Sequence, residues 1–157
     1  MAGVANPFVA DVAAAGLTTS ITTYTSGDQL GTEITVATGG GAQAYAVITS
    51  LTLVDFAKVI GALDFFFFNA ATTPASDNAA NSWSDADMNK LIAGGFISMA
   101  APTASANNFM GSIPNLWANG RTDASGNFYL DLVTRSANAV FGAATDLKVR
   151  VGGFYFS

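Results

Sequence analysis

Cysteine and histidine are both absent from this chain, and a single glutamate, Glu33, accompanies its ten aspartates. Without Cys there is no disulfide framework and no thiolate metal site. Without His the usual general base and the commonest zinc ligand are missing, so the composition argues against an enzyme. Cations are scarce as well. Lys58, Lys90, Arg121, Arg135, Lys148 and Arg150 stand singly, and nothing here can neutralise a run of phosphates, which argues against nucleic acid as a partner. Long apolar runs are missing too, because Asp55, Lys58 and Asp64 break the most hydrophobic region short of the roughly 18 residues of a membrane span. No membrane partner is expected.

What is present is a neutral, apolar chain. Its 157 residues fit one domain. Half of them are hydrophobic, and charged residues make up only 11%, against roughly 25% in ordinary soluble domains. Six basic and eleven acidic side chains give a net charge of −5. Size scaling predicts a folded surface of roughly 7,400 Å², so this coat of charge leaves much of it neutral or apolar, the mark of a contact site. Extensive burial against neighbouring subunits is expected.

From residue 18 onward the dominant period is two, the signature of half-buried strands. Thr18 to Thr25 is rich in β-branched residues and runs into the turn Ser26-Gly27-Asp28. Glu33 to Ala37 alternates. Ala44 to Val54 is apolar on both faces and closes on Asp55, as a strand inside a sheet would. In Leu63 to Asn69, Phe65 and Phe67 point to one face and Phe66 and Phe68 to the other, so both faces need cover. Gly95 to Met99, Phe128 to Arg135 and Leu147 to Phe156 complete the set, while Pro114 makes Phe109 to Ala118 at best an edge strand. One helix is predicted over Asp85 to Ala93, with Ser84 and Asp87 as capping box, Trp83 and Met88 as hydrophobic staple, and Gly94 as its stop. Met1 to Leu17, Ala-rich but without a basic start and carrying Pro7 and Asp11, is expected to be an arm or edge element rather than a secretion signal. The predicted fold is therefore mainly β: an arm over 1–17, then a single antiparallel β-sandwich over 18–157, jelly-roll-like, with one short helix near 85–93.

Few residue sets carry chemistry. Asp77, Asp85 and Asp87 are candidate ligands for a hard cation, but their spacing matches no calcium loop and the helix macrodipole explains acids in a first turn. Glu33 with one of the aspartates can supply the two carboxylates of a glycosidase, though nothing in the sequence pairs them. Trp83, Trp117, Tyr24, Tyr45 and Tyr129 can form a sugar-stacking platform, which keeps a carbohydrate-binding or adhesive module as the alternative reading. Gly39 to Gly41 lacks the lysine and following helix of a phosphate loop. Neither cofactor nor metal is expected.

Five stretches together resemble a family of tailed-bacteriophage virion proteins, the head decoration and minor capsid components. They are Thr25 to Gly31 before a strand; Ala46 to Asp55; Leu63 to Asn69; Asp77 to Ala80 with Ser84 to Asp87 and Leu91; and Tyr129 to Phe154, joined through Asp146-Leu147. The similarity covers roughly residues 18–157. It implies a structural role on the virion: binding the outer capsid surface, often as a trimer, with the major capsid protein as partner. The Ala-rich first 17 residues and the glycine run depart from the pattern, and no binding residue carries over. On the residues themselves, the expected contacts are Phe8 and Val9 of the arm and whichever of Phe66 and Phe68 faces away from the sandwich.

Overall fold

A computed structural model describes residues 3–12, 22–135, 140–143 and 145–157. Among them are nine strands and one helical turn: β1 Ala5–Val12, β2 Ile34–Ala37, β3 Tyr45–Asp55, β4 Leu63–Phe68, α1 Asp85–Met88, β5 Leu91–Met99, β6 Thr103–Ala104, β7 Phe109–Arg121, β8 Asn127–Thr134 and β9 Leu147–Phe156. The pairing is that of one long antiparallel ribbon doubled back on itself. Starting from its tip between β4 and β5, β4 pairs β5, β3 pairs β7, β2 pairs β8 and β1 pairs β9. The ribbon then rolls up, so that β9 also meets β3 and β4 also meets β8. This is the doubled Greek key of a jelly roll. One sheet runs β1-β9-β3-β7 and the other β5-β4-β8-β2, joined at the bridge Ala93 to Asn119. The sandwich is mainly β and antiparallel, as predicted.

Period two explains the core. Leu51 and Leu53 of β3, Val149 and Val151 of β9, Phe65 and Phe67 of β4, and Leu130 and Leu132 of β8 turn inward and are all buried. Each such side chain contributes about 1.5–3 kcal/mol by leaving water. β3 ends where the sequence turns acidic because the buried Asp55 carboxylate accepts four successive backbone N–H groups, from Ala57, Lys58, Val59 and Ile60, at 2.7–3.0 Å.

Three expectations need correction. The helix stops at Met88 rather than running to Ala93. Its capping box forms as predicted, with Ser84 accepting from Asp87 N–H, but from Leu91 the chain pairs with β4 as a strand. The β-branched Ile92 is buried in that strand, as suits its side chain. Gly94 does adopt a left-handed φ of 68°, yet inside a bulged strand, where a Cβ would lie 2.9 Å from the Trp117 carbonyl. The staple fails with the helix: Met88 is exposed and Trp83 packs elsewhere. β7 is an edge only in its middle: it pairs β3 on one side, while on the other β6 pairs Phe109 and Met110 and β5 pairs Asn119, and Pro114 sits between those pairings where the β3–β7 register shifts. Thr22 to Thr25 form no strand, and Thr18 to Ile21 lie outside the described residues, as do Met1, Ala2 and 13–17 of the expected arm. Ala5 to Val12 form an outer strand on β9.

Candidate functional site

Each sheet has an outer face, and the two differ. On β5-β4-β8-β2 the outward side chains Phe66, Phe68 and Asp131 lie under a strap of chain, residues 69–83. Trp83 stacks there at 4.3 Å from Phe66 and 5.7 Å from Phe68, and Phe96 adds a contact at 4.9 Å from Phe66. The strap is pinned largely by carboxylates. Glu33 Oε1 accepts from the Thr72 N–H at 2.6 Å and from its hydroxyl at 2.7 Å. Asp131 Oδ2 accepts from the Trp83 indole N–H at 2.9 Å and lies 2.9 Å from Thr72 Oγ1. Asp77 Oδ1 accepts from the Tyr24 hydroxyl and the Gly31 N–H, both at 2.6 Å. At the other end Lys90 Nζ donates to the Ala71 carbonyl at 2.7 Å and pairs with Asp87. Asp131 is fully buried, and burial pushes its carboxyl up from 3.8 to about 6, even though Trp83 and Thr72 pull the other way.

The outer face of β1-β9-β3-β7 carries no such strap among the described residues. The register aligns Ala5, Phe156 and Tyr45 in one row, then Pro7, Phe154 and Val47, then Val9, Gly152 and Ser50. Val9 is 68% exposed and Phe154 42% exposed. Lower on the same face, a shallow depression of about 310 Å³ is lined by Thr52, Val54, Phe56, Met110, Lys148 and Arg150. Its charges come as a small set: Asp11 pairs with Arg150 at 2.8 Å and Lys148 at 3.4 Å. The Arg150 guanidinium holds the Asp11 carboxyl below its usual range. Arg121, paired in register with Tyr45, completes the face.

Against this geometry the candidate residues sort as follows. Of the expected contacts, Val9 stands on the open face, Phe8 turns into the core, Phe68 is sealed under Trp83, and Phe66 is half-buried beside it. The candidate cation ligands are not gathered: Asp77 and Asp87 are engaged in the contacts above, Asp85 is exposed, and no metal-ligand cluster occurs among the described residues. Glu33 does acquire an acidic neighbour, Asp131, with Thr72 between them. Of the five aromatics proposed as a platform, Tyr24 is buried edge-on against Phe141 at 5.8 Å and Tyr129 donates to Asp123. Only Tyr45 and Trp117, 72% exposed, face water. Thr72 and Gln29 carry no signal in the sequence that marks them as part of the cluster.

No protein-family model matches the chain, and neither does any curated protein. Among solved structures, a structure of tomato aspermy virus overlaps 98% of this chain and 78% of its own at 8% identity and a TM-score of 0.45. A protein of Bacteroides thetaiotaomicron VPI-5482 described as sugar-binding overlaps 97% and 87% at 11% identity and a TM-score of 0.26. A marine algae virus of the order Picornavirales overlaps 99% and 71% at 14% identity and a TM-score of 0.24. At these scores and identities the overlaps carry no argument about what the chain does.

Proposed function

We propose that the protein is a non-enzymatic structural component of a virion, which assembles with copies of itself and with the major capsid protein on the outer surface of a phage capsid. The observation that carries this reading is the open face of β1-β9-β3-β7, with Val9, Phe154, Phe156 and Tyr45 turned to water on a chain already short of charge. Jelly rolls serve capsids and lectins alike, so the fold does not choose between them, and the reading is supported by the surface instead. Three of the six cations, Arg121, Lys148 and Arg150, stand on this face with the single acid Asp11, while the chain as a whole carries −5. The face is thus positive against an acidic remainder. Such polarity fits a head-to-tail contact, in which one copy's open face meets the acidic side of the next, and a trimer closes a contact of this kind into a ring. Sedimentation of purified protein, together with its binding to capsids stripped of it, tests the proposal. A trimer that rebinds such capsids is the expected result. A monomer that ignores them overturns it.

One observation favours the alternative, a carbohydrate-binding or adhesive module: Trp117, the most exposed aromatic, stands proud of the bulged stretch of β7. Glycan binding that is lost in Trp117→Ala would support it. Unchanged tryptophan fluorescence across a broad sugar panel would remove it.

A further inference from the structure

The strap pin contains one hydroxyl and two carboxyls. Thr72 Oγ1 lies 2.7 Å from Glu33 Oε1 and 2.9 Å from Asp131 Oδ2. A threonine hydroxyl has one proton to donate, so it satisfies one carboxylate only; the second short contact is a hydrogen bond if the other carboxyl donates to Oγ1. Glu33 Oε1 already accepts the Thr72 backbone N–H at 2.6 Å, and it sits at the edge of the cluster. Asp131 is fully buried, faces Trp83 and a distant Gln29 amide at 3.4 Å, and has no cation beside it among the described residues. The extra proton therefore belongs on Asp131, in agreement with the upward push that burial gives its carboxyl.

We propose that the strap is latched by one proton held along the chain Asp131, Thr72, Glu33, and that losing this proton loosens the strap from the sheet. Two like charges would then share one half-buried hydroxyl, one of them on the fully buried Asp131, and the indole of Trp83 would lose its seat over Phe66 and Phe68. The other charged groups around the cluster are already paired: Lys90 with Asp87 at the end of the strap, Tyr129 with Asp123 on one side along β8, and Asp64 with Arg135 on the other. None of them is placed to neutralise Asp131.

Trp83 reports the state of the strap directly. In a Trp117→Phe background it is the sole tryptophan, and its accessibility to acrylamide is measured from pH 4.5 to 8. Quenching is expected to rise through a single titration centred near pH 6. Asp131→Asn, whose amide is a permanent donor toward Thr72, should remove the titration and hold the low-pH level throughout. Glu33→Gln removes the neighbouring charge, so its midpoint should fall. Quenching that stays flat in the parent overturns the proposal, and so does a titration that persists unchanged in Asp131→Asn. If Asp131→Asn fails to fold, an unmoved midpoint in Glu33→Gln overturns it equally.

Discussion

Phe68 and Phe154 occupy equivalent positions, each an outward aromatic on an inner strand of its sheet, yet Phe68 is 0% exposed and Phe154 is 42% exposed. The difference lies in what the chain lays over each sheet. Across β5-β4-β8-β2 it folds fifteen residues of its own, held by the buried Asp131 and the half-buried Glu33 and capped by Trp83; across β1-β9-β3-β7 the described chain lays nothing. A sheet needs apolar cover on any face that carries aromatics. One sheet takes most of that cover from within, leaving Phe96 on β5 48% exposed, and on our reading the other takes it from a neighbour.

The contrast is open to test by substitution. The largest effect is expected from Phe68→Ala, which empties a sealed position and should cost about 3–5 kcal/mol of stability in urea unfolding. A loss below roughly 1 kcal/mol would mean that the strap does not seal that face. Next comes the pH dependence of the covered face. Because the folded Asp131 carboxyl titrates near 6 rather than 3.8, the folded state holds the extra proton between those values, and stability falls as pH rises through that window. At 1.36 kcal/mol per unit the fall is about 2–3 kcal/mol, and Asp131→Asn should abolish it. On the open face, Phe154→Asp should weaken self-association at least about tenfold, roughly 1.4 kcal/mol, as measured by sedimentation equilibrium. The smallest effect belongs to Phe154→Ala on the stability of the isolated chain, expected within about 0.5 kcal/mol. A larger cost would show that this face is packed by its own chain after all.

Much of the scaffold is legible from period two alone. β2, β3, β4 and β9 fall where alternation places them, and the Ser84 to Asp87 capping box is visible because its chemistry is local. The failures are of two kinds. Leu91 and Ile92 extend a helical face begun by Met88 but fit a strand as well, and pairing with β4 decides for them, so that Met88 ends α1 and Leu91 opens β5. Pro114 marks an edge by local rule, which holds where it stands, but β6 and β5 pair the two ends of the same strand. The candidate site was the least legible part. Glu33 stands out as the only glutamate, whereas its neighbour Asp131 is one of ten aspartates and lies 59 residues beyond the Thr72 that links them. Contacts across such separations leave no periodic trace in a sequence. The same holds for Trp83, whose indole serves as lid rather than staple.

The doubled ribbon also sets an order of events. Pairing β4 with β5 closes a short loop, whereas pairing β1 with β9 joins Ala5 to Phe156, nearly the whole length of the chain. Loop-closure entropy makes the second step wait for the first, so the molecule zips from its tip and matures slowly. Pulse-labelled hydrogen exchange should find amides of β4 and β5 protected before those of β1. The open face is then the last to take shape, and on the proposed reading unfinished copies have nothing on which to assemble.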